Sequence, residues 1–161
     1  MNFAPYFWNE REGQQVSTHV KRLCLSSDEN ALAIVAILNS SLFYWWFILL
    51  SDCRDLNMRE IKFFPVGLHQ MTLEHKQMLG ELAIMLMADM KSHAKRKEAF
   101  YKTTGQVRYD EFYPRYSKSI IDRIDEVLSS HYGLTKEETD FIVNYDIKYR
   151  LGNNAEEFDN N

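Results

Sequence analysis

The chain has 161 residues, 45% apolar and 26% charged, so it is long enough to bury one real core and too apolar for a disordered polyelectrolyte. Its net charge of −4 argues against a generic polyanion binder. The two cysteines, Cys24 and Cys53, stand far apart without a CxxC pattern, which excludes a disulfide scaffold and places the expected thiols in a reducing, cytoplasmic setting; residues 1–6 have no secretory n- or h-region.

In chain order, residues 1–15 mix Phe3, Tyr6, Phe7 and Trp8 with a charged stretch and Gly13, the pattern of an edge strand or packed arm followed by a turn. Residues 16–25 read as a strand around Val20, Leu23 and Leu25. Ser26 with Glu29 fits a capping box, and the helix it opens is apolar nearly all round. Residues 31–50 match the length of a bilayer span, but Asn39, Ser40 and Ser41 sit at the centre and acidic residues flank both ends. A buried core helix broken near Asn39 is the better reading, with no membrane contact. Residues 56–66 alternate loosely up to Pro65 and read as a strand leaving a presented loop.

Thr72 caps a long helix expected to run from Leu73 to about Lys102, roughly 45 Å at ~1.5 Å per residue. Leu79, Leu82, Leu86 and Met90 form its buried stripe, with Met85 and Met87 as adaptable packing. Thr104 and Gly105 break it, and residues 107–116 suit a hairpin-like crossing segment. Ser117 starts a helix with Ile120, Ile121, Ile124, Val127 and Leu128 on one face, ended by Gly133. Thr135 and Glu138 form another capping box, and Ile147, Tyr149 and Leu151 are expected to pack back. The expected organisation is a strand-helix-strand core over 1–70, a long helix over 71–103, a helical segment over 104–151 and a disordered acidic tail over 152–161.

Charge is unevenly distributed. Residues 91–118 carry eight cations (Lys91, Lys95, Arg96, Lys97, Lys102, Arg108, Arg115 and Lys118) and three acids, a basic belt inside an acidic chain. It reads either as the solvated end of a helix or as a phosphate-contact strip with interleaved Tyr101, Tyr109, Tyr113 and Tyr116. The loop over 51–62 holds Arg54, Asn57 and Arg59, side chains suited to guanine and adenine edges, unless they simply pair with Asp52, Asp55 and Glu60. Asp55, Glu60 and Lys62 echo the acidic-x-lysine end of a metal-dependent nuclease site. His19, His69, His75, His93 and His131 show no metal-ligand spacing, and no GxSxG, HExxH or phosphate-cradling loop is present.

Two stretches resemble one family. Leu38-Asn39-Ser40-Ser41-Leu42-Phe43-Tyr44-Trp45-Trp46, with Leu56-Asn57-Met58-Arg59-Glu60-Ile61 and Phe64-Pro65-Val66, resembles the C-terminal region of adenine-specific DNA methyltransferases, including type IIG restriction-modification enzymes. The stretch from Ile124-Asp125 through Tyr132-Gly133-Leu134 and Phe141-Ile142 to Asn144-Tyr145-Asp146-Ile147-Lys148-Tyr149-Arg150 is similar to the end of the same proteins. The long helix between them has the place of a spacer helix. The Asn-Pro-Pro-Tyr/Phe motif that holds a flipped adenine and the Gly-rich S-adenosylmethionine motif are both missing.

The resemblance implies a non-catalytic, target-recognition piece that grips double-stranded DNA while a separate catalytic lobe, which would hold the S-adenosylmethionine, acts on the base. The chain itself is expected to be no enzyme and to need no cofactor or metal. Its expected fold is α+β, predominantly helical, with a small mixed or antiparallel sheet built from the N-terminal half and the segment ending at Pro65. Chemistry nominates Arg54, Asn57 and Arg59 as base readers, and Lys91, Lys95, Arg96, Lys97, Lys102 and Arg108 as phosphate contacts. The alternatives are a protein-interaction module that docks residues 39–50 on a methyltransferase or restriction subunit, and a nuclease using Asp55, Glu60 and Lys62.

Overall fold

The computed structural model describes residues 3–16, 20–147 and 150. The fold is α+β, with six α-helices and a four-stranded antiparallel sheet among those residues. Two short strands, β1 (Phe7–Asn9) and β2 (Gly13–Gln14), open the chain. Helices α1 (Asp28–Ile37), α2 (Ser41–Leu50), α3 (Met58–Phe63) and α4 (Leu73–Ser92) follow. The hairpin β3 (Lys95–Tyr101) and β4 (Gly105–Glu111) leads through a 3-10 turn, Pro114–Ser117, into α5 (Lys118–Tyr132) and α6 (Lys136–Asn144).

The helical body is assembled around α4. Leu79, Leu82, Leu86 and Met90 are buried, as their spacing requires, and Met87 joins them. Met85, expected to pack, lies on the exposed face instead. Gly80 faces α1, where a Cβ would meet the Leu32 Cβ at 3.7 Å, an ordinary packing distance. Ile121, Ile124 and Leu128 of α5 close the other side, beside Ile37 of α1.

The polar break between α1 and α2 has a clear local cause. Asn39 Nδ2 donates to the Val35 carbonyl at 2.7 Å, and Ser40 Oγ donates to the Ile37 carbonyl at 2.7 Å, ending α1. Ser40 Oγ also accepts from the Phe43 N–H at 3.0 Å, starting α2. The two helices meet at 67°; no single described helix is long and apolar enough to cross a membrane, though this bent pair passes on length and composition alone.

Several sequence expectations are corrected. The helix over 71–103 stops at Ser92, because the run Lys95–Tyr101 pairs as a strand with β4 over its whole length. Helix propensity there loses to a cross-strand partner. For the same reason the segment over 104–151 is helical only after Glu111. The sheet, ordered β2-β1-β4-β3, therefore unites residues 7–14 with 95–111 and owes nothing to the segment ending at Pro65.

Residues 56–66 contain α3 rather than a strand. Asn57 accepts from the N3 amide while Glu60 Oε2 accepts from the Asn57 N–H at 3.0 Å, a capping box that the loose alternation concealed. Residues 20–25 form no strand, and Val20 and Leu25 are exposed. The cap of α1 is Ser27, accepting from Asn30 N, not Ser26 with Glu29. His19, Tyr149, Leu151 and the tail over 152–161 lie outside the described residues.

Candidate functional site

The basic belt is a β-ribbon, and its pleat sorts the cations. In the register Arg96↔Asp110, Lys97↔Tyr109 and Glu98↔Arg108, even-numbered residues share one face and odd-numbered residues the other. On the even face each cation has an acidic partner. Arg96 Nε lies 2.5 Å from Asp110 Oδ1, which raises the guanidinium pKa further, and Arg108 Nε lies 2.8 Å from Glu98 Oε1. Their guanidiniums also cover the rings of Tyr6 (3.6 Å to centroid) and Trp8 (5.1 Å). That face is close to neutral and already stacked.

The odd face is different. Lys95 and Lys97 are both exposed and share one acid, Glu111, which lies 3.4 Å from Lys97 Nζ. Glu111 also accepts from the Tyr113 hydroxyl. That bond holds Glu111 below the usual carboxylate range and pushes the Tyr113 phenol up, while Tyr113 and Glu111 together raise Lys97. The lowered Glu111 and the raised Lys97 keep that pair ionised, while Tyr113 stays a neutral hydrogen-bond donor.

Tyr113 extends the patch beyond the ribbon. Lys95 and Arg115 both lie 5.5 Å from its ring centroid, and Arg115 also lies 4.9 Å from the Tyr116 ring. His93, at the end of α4, packs on Tyr116 at 5.1 Å. Cations and rings thus alternate from the ribbon to the head of α5. Arg115, Tyr113 and Tyr116 were missing from the nominated contacts; the Tyr-Pro-Arg-Tyr string beside the belt was the available signal.

The nominated phosphate contacts gather on this arm and its approach. Lys91 sits near the end of α4 with its Nζ 4.2 Å from the Phe3 ring, and Lys102 lies in the hairpin turn. The nominated base readers belong to the helical body instead, where the side chains of Asn57 and Arg59 are already engaged. Asn57 caps α3, donates to the Asp55 carbonyl at 3.1 Å and accepts from Lys21 Nζ at 2.8 Å. Arg59 donates twice to Glu60 Oε1, at 3.0 and 2.8 Å. Arg54 is exposed, its backbone N–H bound to Asp52.

Glu60 is buried, and its own backbone N–H, followed by Arg59, holds it below the usual carboxylate range. A carboxylate so occupied is a poor metal ligand, and no described group of three acidic, histidine or cysteine side chains converges on a metal site. The geometry thus gives the nuclease reading no support. The nearest echo of an adenine-holding motif, Asn144-Tyr145-Asp146, sits at the end of α6, where Asn144 Nδ2 donates to the Asp140 carbonyl at 2.8 Å. It forms no cradle for a base.

A second feature ties the helical body together. Asp125 of α5 is buried, and its Oδ1 accepts from the Ser41 and Leu42 amides at 2.9 and 3.3 Å, the first turn of α2. Arg150 donates to Ser41 Oγ at 2.7 Å beside it. Burial dominates, raising the Asp125 pKa to about 6, and Oδ2 has no hydrogen-bond partner among the described residues. An apolar cavity of about 410 Å³ lies nearby, lined by Phe43, Phe47, Leu86, Met90 and Ile121 with Arg150 at its border.

Comparison with family models, with curated proteins and with solved structures finds no match to this chain.

Proposed function

We propose that this chain is a non-catalytic, DNA-gripping piece of an adenine-specific DNA methyltransferase or type IIG restriction-modification enzyme. The observation that carries the DNA-binding part is the odd face of the ribbon, where Lys95 and Lys97 share one carboxylate and are continued by Arg115 between the Tyr113 and Tyr116 rings. β3 is the free edge of the four-stranded sheet, and cations along it would sit at the phosphates of a duplex laid beside it. The assignment to that enzyme class rests on the sequence resemblance. The S-adenosylmethionine site and the base chemistry would belong to a separate lobe; Asn57 and Arg59 would serve as base readers only after giving up their present partners, whereas Arg54, bound through its backbone N–H, would not have to.

The test is duplex binding followed by fluorescence anisotropy across a salt series. Replacing Lys95 and Lys97 with Gln should weaken binding at least tenfold at low salt and reduce the salt slope by about 2, since each phosphate contact contributes roughly 0.9. Replacing Arg96 and Arg108 with Gln should change the slope far less, because those cations are neutralised within the hairpin. Unchanged affinity and slope in the lysine variant would remove the odd face from the reading.

One observation favours the docking role as well. Only Ser41 and Phe43 of α2 are buried, and Leu49 and Leu50 at its far end are more than half exposed. An aromatic helix left so open is a surface on which a catalytic lobe or subunit could seat. The two roles are compatible, since a grip on DNA is useful to such an enzyme only when fixed to the lobe that modifies the base.

A further inference from the structure

The apolar cavity and the odd face of the ribbon are neighbours. Arg150 and Pro114 both line the cavity of about 410 Å³, whose walls include Phe43, Phe47, Leu86 and Met90. Pro114 stands between Arg115 and Tyr113, and the Tyr113 ring lies 5.5 Å from Lys95 Nζ. The cavity thus meets the cation patch at Pro114.

That patch is short of anions. Lys95 and Lys97 share Glu111, and Arg115 has no acidic partner among the described residues. The Arg115 Nε is buried without a hydrogen-bond partner there, a costly state until an acceptor arrives.

The sequence after Arg150 matches both surfaces. Leu151, the next residue, is apolar and begins at the cavity border. Glu156, Glu157 and Asp159 follow around Phe158, and residues 151–161 contain no lysine, arginine or histidine. Roughly three extended residues cross a compact cavity of that volume at ~3.3–3.6 Å each, so the acids fall beyond its Pro114 border.

We propose that residues 151–159 dock on their own chain, with Leu151 seated in the cavity and Glu156, Glu157 and Asp159 on Lys95, Lys97 and Arg115. Charge and tether select this occupant: three acids meet three cations that have one carboxylate between them, and the covalent link gives an effective concentration of roughly millimolar. On the DNA reading above, the acids then hold the phosphate positions and a duplex must displace them; the docking itself does not depend on that reading.

The experiment is carbodiimide coupling of the full chain, which joins a carboxylate to a lysine amine only where they touch, followed by peptide mapping of the monomer. Glu156, Glu157 or Asp159 should be found joined to Lys95 or Lys97, and high salt should suppress the product. Leu151→Ser should lower its yield several-fold. The triple variant Glu156→Gln, Glu157→Gln and Asp159→Asn should bind a duplex several-fold more tightly than the parent at low salt, with the same circular dichroism. Coupling of these acids to other lysines, coupling only between two chains, or none at all overturns the docking. Coupling to Lys95 and Lys97 with equal duplex affinity in parent and triple variant keeps the docking and overturns the competition. The same coupling with no duplex binding by either protein keeps the docking and removes the DNA reading.

Discussion

The helical body buries Ile37, Leu79, Leu86, Ile124 and Leu128 almost completely, whereas the four strands bury a single apolar side chain, Val107. The arm is held by other means: Arg96–Asp110 and Arg108–Glu98 across the ladder, guanidiniums over Tyr6 and Trp8, and Asn9 accepting from the Arg11 and Glu12 amides in its turn. Its join to the body includes Phe3 on Phe112, Lys91 on Phe3, and His93 on Tyr116. The contrast teaches where stability and recognition reside. Apolar burial stabilises the body by the larger amount, and exposed ion pairs contribute little each, so the arm should open at lower free energy than the body.

The most severe way to break the body is Leu128→Ala. Leu128 is fully buried, so the cavity and lost transfer energy should cost roughly 3–5 kcal/mol, measured by chemical denaturation. Next is Asp125. Its folded pKa of about 6 lies above the 3.8 of an unperturbed aspartate, so the folded state binds the extra proton between those values. Its contribution is therefore fully present at low pH and is lost as pH rises through about 6, a fall approaching roughly 3 kcal/mol by neutral pH. Asp125→Asn should remove most of that pH dependence, read from unfolding curves between pH 4 and 8; an unchanged profile would refute the assignment. The smallest effect belongs to the arm. Gly105→Ala places a Cβ in the left-handed region against Glu10, and should cost about 1–2 kcal/mol. Hydrogen exchange should show it in hairpin amides, with α4 and α5 protected as before; equal loss in both would mean that arm and body unfold as one unit.

What was legible followed local chemistry. The caps at Ser40, Thr72 and Thr135, the αL Gly133 and the stripe of α5 were written in spacings of a few residues. The sheet was not, because β1 finds its partner about a hundred residues away and nothing local in Lys95–Tyr101 announces a strand. α3 was missed although Asn57 and Glu60 stand at capping-box spacing, because Leu56, Met58, Ile61 and Phe63 mimic an alternation. At the candidate site the excess of cations was readable as a sum. Its division into a neutral face and a charged face needed the register, which the sequence does not state.

The Arg59–Glu60 pair has an implication for any target that engages this helix. An incoming acceptor would have to outcompete a carboxylate enclosed by the fold, stranding that carboxylate as the arginine swings away. Measured selectivity at such a contact would report an exchange of partners rather than the strength of a new one. Weak acceptors would be rejected before any fine discrimination between base edges began.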